Sequence, residues 1–152
     1  MNVDSKLPQG DELLKLDNQL CFALYSSARG ITRMYRPILS RFNITYPQYL
    51  VLLVLWEHGP MNVKDLGEKL FLDSGTLTPL LKRMERLEIL SRERSTEDER
   101  QVLISLTEKG LNMREEALSV PLELAGNLDL KMDEYRLLMT ALKSLINKME
   151  LE

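Results

Sequence analysis

Apolar residues recur at three- and four-residue steps along most of the chain. Leu13, Leu16, Leu20, Leu24, Ile31, Met34, Ile38 and Leu39 mark an amphipathic helix that starts at residue 11 or 17 and runs to about 41. Pro37 falls late in it and predicts a kink or an early end. A turn over 43–47 follows, with Pro47 suited to the first turn of a helix over 48–58. That helix is apolar around most of its circumference, the mark of a helix enclosed by others, and Gly59-Pro60 closes it. Asn62, with Asp65 three residues on, predicts a capped start for a short helix over 63–70. A tight turn at 71–73 joins it to a further helix that starts between Asp73 and Thr76 and ends near 88. Pro79 fits only in the first turn or two of that helix.

Beyond 88 the period drops to two. Residues 89–94 and 100–106 read as short strands, with Val102, Ile104 and Leu106 on one face, and the polar stretch 95–99 between them makes a β-hairpin. Thr107 caps a helix from 108 into the region of 120–121, residues 127–131 break the pattern, and a last helix over 132–149 aligns Leu138, Leu142, Leu145 and Met149. Residues 1–10, with Pro8 and Gly10, read as a loose arm. Two helices joined by a tight turn form a helix-turn-helix, and a hairpin directly after the second makes it winged. The expected fold class is mainly α with a small β-hairpin wing.

Composition narrows the function. The chain has 152 residues, 44% hydrophobic and 28% charged, ordinary values for a globular domain. No apolar run of about 18 residues predicts a membrane span. The opening residues lack the basic start and apolar stretch of a signal peptide, so a cytoplasmic location without membrane partners is expected. One cysteine and one histidine exclude an internal disulfide, a zinc cluster and most triad chemistry. No glycine spacing suits a phosphate loop, and no metal or cofactor is expected. The net charge is −3, and residues 61–106 hold eight Lys/Arg against nine Asp/Glu, so any basic surface is local.

The helix opening at Ser74-Gly75-Thr76 suits a major groove. Its first turn carries small and hydroxyl residues, including Thr78 just beyond, which let the backbone approach phosphates and base edges. Its N-terminus offers free N–H groups, and Lys82 and Arg83 follow one turn on. Leu77, Leu80, Leu81, Met84 and Leu87 are the candidates for the core face. On the wing Arg92, Arg94 and Arg100 flank the turn, where an arginine can enter a minor groove, and Asp98 is placed to hold Arg100 or Arg94. The competing reading is a solvated charged face.

Three motifs carry a resemblance: LDSGTLTPLLKRME at 72–85, RSTEDER at 94–100 and LTEKG at 106–110. They resemble the MarR family of bacterial transcription regulators, whose wing bears the Asp98-x-Arg100 signature. NQLCFALY at 18–25, ITYPQYL at 44–50 and LWEH at 55–58 resemble its organic-hydroperoxide-sensing, OhrR-like branch and the related global regulators. The resemblance spans about 16–118. It implies a single domain over 1–152, with dimerisation helices at 11–41 and 108–152 and a winged helix-turn-helix lobe at 48–106. It also implies binding to a pseudo-palindromic duplex as a homodimer. The apolar stripes of the first and last helices suit such pairing independently; the competing reading is that both helices pack on their own subunit.

Cys21 has two readings. By spacing it lies one turn after Asp17, between Leu20 and Leu24, where a free cysteine is ordinarily a small buried hydrophobe. If Asp17 caps the helix, the dipole near Cys21 favours a thiolate, and Tyr25, Tyr35 and Tyr46 are nearby O–H donors. The resemblance implies more: Cys21 reacts with organic hydroperoxide, and Tyr35 and Tyr46 hydrogen-bond to it across the dimer. With no second cysteine in the chain, a low-molecular-weight thiol, the partner chain or over-oxidation completes the chemistry. The function expected is a transcriptional regulator, a repressor released from DNA by oxidation of Cys21. Alternatives are a MarR-type regulator controlled by a small aromatic ligand, a broader redox-sensing global regulator and, from another class, a thiol peroxidase.

Overall fold

The computed structural model describes residues 8–98 and 100–150. Residues 1–7 of the expected arm, Glu99 of the wing turn and residues 151–152 of the expected segment 108–152 lie outside the described residues. The chain enters through two 3-10 turns, Gly10–Leu14 and Leu16–Asn18, and α1 (Leu20–Leu39) begins only after them. The first helix is therefore shorter than its apolar spacing predicts. Two carboxamides explain this: Asn18 Nδ2 donates to the Glu12 carbonyl at 2.7 Å, and Gln19 Nε2 to those of Leu13 and Lys15 at 2.7 and 3.0 Å. Side chains thus take carbonyls that a continuous helix needs for its own amides. At the other end Pro37 sits in the last turn of α1, and a 3-10 turn Ser40–Phe42 leads into Asn43 at φ 54°.

Helix α2 (Tyr46–His58) starts two residues before the expected point. Thr45 and Gln48 form a capping box in which the Thr45 N–H donates to Gln48 Oε1 at 2.9 Å, with Pro47 in the first turn. α2 is the core helix that its sequence predicts: Tyr49, Val51, Leu52 and Leu55 are buried, and Gln48 is buried with them. Its end is fixed from outside, where Trp56 Nε1 donates to the Gly110 carbonyl at 2.9 Å.

The winged helix-turn-helix elements follow. β1 (Met61–Asn62) leads into α3 (Val63–Leu70), capped as predicted, with the Asp65 N–H donating to Asn62 Oδ1 at 2.8 Å. The turn to α4 (Ser74–Arg86) is tight because Gly67 allows it: a Cβ there would lie 2.6 Å from the Leu72 carbonyl oxygen. Leu77, Leu81 and Met84 are buried and Leu80 and Leu87 partly so, the core face read from spacing. α4 ends two residues before the expected 88, where Glu88 at φ 59° reverses the chain. β2 (Leu90–Arg94) and β3 (Val102–Leu106) pair antiparallel with Leu90 opposite Leu106, and β1 joins the far edge of β3 with Met61 opposite Ile104. The wing is thus a three-stranded sheet of order β1-β3-β2 and not a lone hairpin; two residues are too few for a period of two to register.

The expected single helix over 108–121 is two, α5 (Glu108–Ala117) and α6 (Ser119–Leu128). Pro121 has no N–H to give the Ala117 carbonyl, so the helix cannot continue through it and restarts with proline in the new first turn. Arg41 fastens α6 to the end of α1 through Glu123 (2.7 Å) and the Ser119 hydroxyl (2.5 Å). α7 (Met132–Glu150) leaves Tyr135, Leu137, Leu138, Leu142, Ile146 and Met149 exposed. Among the described residues no single helix is long and apolar enough to cross a membrane.

The wing, α4 and α5 meet at one point. The Thr107 hydroxyl donates to the Glu88 carbonyl at 2.6 Å and accepts the Gly110 N–H at 3.2 Å, while a Cβ on Gly110 would stand 2.2 Å from the Ile89 carbonyl oxygen. Backbone meets backbone here, so neither side can yield by rotating a side chain. Gly110→Ala is expected to lower unfolding stability by about 1–3 kcal/mol, the usual cost of overpacking. Urea denaturation followed by helical circular dichroism measures it, and unchanged stability would show that this junction is looser than described.

Candidate nucleic-acid interface and thiol site

The first turn of α4 is built by Asp73. Its carboxylate accepts the Thr76 N–H at 2.8 Å and the Thr76 hydroxyl at 3.0 Å, bonds that hold its pKa below the ordinary carboxylate value. Gly75 suits this cap, since a Cβ would come within 3.0 Å of Asp73 Oδ1. Ser74, Gly75 and Thr76 stand exposed around it. Thr78 is half-buried and its hydroxyl donates to the Ser74 carbonyl at 2.7 Å. Lys82 and Arg83 are exposed one turn on, without an acidic partner within 4 Å among the described residues.

The wing differs from its expected wiring. Asp98 does not pair with an arginine side chain. Its Oδ1 accepts the backbone N–H of Arg100 at 3.0 Å and its Oδ2 the Gln101 carboxamide at 3.3 Å. A carboxylate two residues ahead of an amide closes an Asx turn more readily than it reaches a long side chain. Ser95 completes the turn: its N–H donates to the Gln101 carbonyl at 2.8 Å, and its Oγ accepts from Glu97 and Asp98. Arg94 and Arg100 are left exposed on either side. Arg92 is not equivalent to them. Its side chain is only 19% exposed and its Nη1 lies 3.6 Å from Glu85 Oε2 on α4. Between α3, the start of α4 and the sheet runs a cleft of ≈ 780 Å³, whose walls include Lys64, Ser74, Thr78, Arg92 and Arg100.

Cys21 is the second residue of α1 and is exposed. Asp17 is not the cap that spacing suggests, because it lies in a 3-10 turn; the cap position is Gln19, whose side chain is spent on Leu13 and Lys15. No side chain caps α1, so its first-turn amides, beside Cys21, are without helical partners. Among the described residues of its own chain no hydrogen-bond partner for Cys21 is found. Tyr25 is turned toward Arg29, whose Nη1 donates to its hydroxyl at 3.4 Å and whose guanidinium lies 5.3 Å from its ring centroid.

Tyr35 and Tyr46 do come together, with ring centroids 4.6 Å apart, and Tyr49 joins them at 5.9 Å from Tyr35. Burial first, and then the neighbouring phenols of Tyr46, Tyr49 and Tyr135, push the Tyr35 pKa up to about 12. Burial also raises those of Tyr46 and Tyr49. All three are therefore neutral phenols with an O–H to donate. Tyr49 was legible in principle, three residues after Tyr46 on one helix face; Tyr135 of α7 was not, since only the tertiary fold brings it near. Tyr46 also lines a cleft of ≈ 450 Å³ with Arg29, Arg33 and Arg36, none of which has a carboxylate within 4 Å among the described residues.

Comparisons with known proteins agree with this architecture. The family model described as transcriptional regulator SarA/Rot matches residues 33–117. The organic hydroperoxide resistance transcriptional regulator of Bacillus subtilis (strain 168) is 53% identical over 133 residues, 88% of this chain and 90% of that protein. Among solved structures, reduced AbfR bound to DNA aligns with TM-score 0.80 at 37% identity, over 91% of this chain and 95% of that one. The disulfide form of AbfR aligns at TM-score 0.62 and 40% identity, over 90% and 96%. With a family model over more than half its length and a relative this similar along nearly all of it, the chain belongs to the MarR/SarA family of winged helix-turn-helix transcriptional regulators.

Proposed function

We propose that the chain is a DNA-binding regulator whose operator affinity is lowered when an organic hydroperoxide oxidises Cys21. The observation that carries this reading is a lone, exposed cysteine in the uncapped first turn of α1, in a chain 53% identical to a regulator of organic hydroperoxide resistance. The conformation described here is also nearer to the reduced, DNA-bound form of AbfR than to its disulfide form. In this reading it acts in the cytoplasm as a homodimer. Segments 11–41 and 108–152 form the shared base, and 48–106 reads the duplex through Ser74, Gly75, Thr76, Thr78, Lys82, Arg83, Arg94 and Arg100.

Exposed apolar surface supports the pairing. Leu16, Leu20 and Phe22 at the start of the chain and the stripe of α7 are left exposed by the described residues of one chain, and such patches mark interfaces. Two recognition helices related by a two-fold axis then meet half-sites about 34–36 Å apart on one face of the duplex.

The chemistry is a two-electron oxidation. The Cys21 sulfur attacks the peroxide oxygen remote from the organic group. An S–O bond forms, the O–O bond breaks, and the departing alkoxide is protonated to an alcohol, leaving a sulfenic acid. A low-molecular-weight thiol condenses with it to a mixed disulfide and releases water. Tyr35 and Tyr46 of the opposite protomer supply phenolic O–H groups to the sulfur before and after oxidation; Tyr25, engaged with Arg29, takes a lesser part.

Cys21→Ser is expected to bind operator DNA with wild-type affinity and to stay bound in cumene hydroperoxide, whereas the wild type dissociates. Gel-shift titration with mass spectrometry of Cys21 checks this, and normal peroxide release of the variant would sink the proposal. Because the folded state holds the Tyr35 proton more tightly than an ordinary phenol, its contribution to stability is present below pH 10 and is lost as pH rises toward about 12. In an alkaline titration followed by phenolate absorbance, Tyr35→Phe is expected to remove the last transition and to leave the earlier ones.

One observation favours a second reading, control by a small aromatic acid. The cleft beside Tyr46 has the size of a ligand pocket and three guanidinium groups with no carboxylate within 4 Å among the described residues. Salicylate would then raise the melting temperature of the wild type but not of Arg33→Ala, and hydroperoxide would leave operator binding untouched.

A further inference from the structure

We propose that Arg92 and Glu85 form a strut that sets the angle between the recognition helix and the wing, so that Arg92 is a positioning residue and not a DNA contact. The inference rests on the DNA-binding reading above and changes the part played by one of its basic residues.

Helix α4 and strand β2 are joined by a reversal of three residues, with Glu88 at φ 59° and the Ile89 N–H bonded to the Met84 carbonyl at 3.1 Å. A link so short acts as a pivot. It fixes where the wing begins, but the direction in which the wing leaves depends on contacts farther out. Glu85 lies three residues before the pivot and Arg92 four residues after it, and their side chains meet across it at 3.6 Å.

Arg92 faces inward. It shares a strand face with Leu90, which is buried, and stands opposite Ile104, which is fully buried. Its Nε is out of solvent and has no hydrogen-bond partner among the described residues. A cation held this way is costly unless a counter-charge meets it, and among the described residues Glu85 is the carboxylate within 4 Å. On the other side lies the ≈ 780 Å³ cleft between sheet and helices, open space into which the wing can tilt if the pair is broken. A residue that reads phosphates needs its guanidinium in solvent. Arg94 and Arg100 meet that condition, while four-fifths of the Arg92 side chain is covered.

Charge alone and geometry alone predict opposite signs for one substitution. Glu85→Gln removes a negative charge from the DNA-reading helix, which by charge alone strengthens binding to a polyanion. As half of a strut, its loss weakens binding. The test uses the full chain and a duplex that the wild-type protein selects from a random-sequence library. Glu85→Gln and Arg92→Gln are each expected to reduce affinity about tenfold. The double variant should lose no more than either single one, because both break the same pair. The slope of log affinity against log salt should stay at its wild-type value. Circular dichroism and melting temperature establish that each variant is folded, and Glu85→Gln, on a partly exposed helix face, carries the test alone if Arg92→Gln is not.

Unchanged or tighter binding by Glu85→Gln overturns the strut. So does a salt slope in Arg92→Gln that falls by about 0.9, the signature of one lost phosphate contact. If the wild type selects no duplex at all, the DNA-binding reading fails, and the strut falls with it for a different and recognisable reason.

Discussion

Helix α2 is apolar on nearly every side, and a helix of that kind can exist in water only if other elements enclose it. This requirement organises the lobe. α1, α3, α4 and α5 each take one flank, and Val51 and Leu52 at the centre are fully out of solvent. The one polar intruder, Gln48, is admitted because its carboxamide oxygen receives the Thr45 N–H and so starts the helix that buries it. At the far end the Trp56 indole reaches the Gly110 carbonyl, which ties the core helix to the point where wing, recognition helix and α5 converge. The first turn of α4 is thus displayed on a scaffold whose orientation is fixed from both ends of one buried rod.

The same requirement explains what is left over. Once α2 is enclosed and α6 has sent Val120 into the core, the apolar faces of the first turns and of α7 find no core to join among the described residues. A single chain therefore presents two unlike surfaces: a polar one around Ser74, Thr76, Arg94 and Arg100, and a greasy one at its termini. Cys21 belongs to the second. Its sulfur sits where a partner protomer is proposed to pack, which is how a change of two electrons can be felt by helices that never touch it.

Much of this was legible in the residues. The order of elements, the enclosed helix, the Asn62 cap and the core face of α4 followed from period and capping chemistry, because each is decided by neighbours a few positions away. What escaped the sequence depends on distant partners or on competition between side chain and backbone. Asn18 and Gln19 captured carbonyls and shortened α1; Pro121 divided a helix that hydrophobic spacing joined; Met61 and Asn62 became a strand only because β3 lay alongside. The site followed the same rule. The hydroxyl-rich turn at 74–76 and the lone cysteine were visible, whereas the covered state of Arg92, the backbone role of Asp98 and the approach of Tyr135 to Tyr35 arise only once the chain has folded.

A solitary thiol also fixes how the molecule forgets. A protein with two nearby cysteines can close a disulfide by itself, at a rate independent of its surroundings. Here the described chain offers Cys21 no such neighbour, so an oxidised sulfur must wait for a diffusing molecule or for another protomer. Recovery then becomes a bimolecular event timed by the abundance of small thiols. The regulator would report the balance between oxidant and reductant as a running average and not as an instantaneous reading.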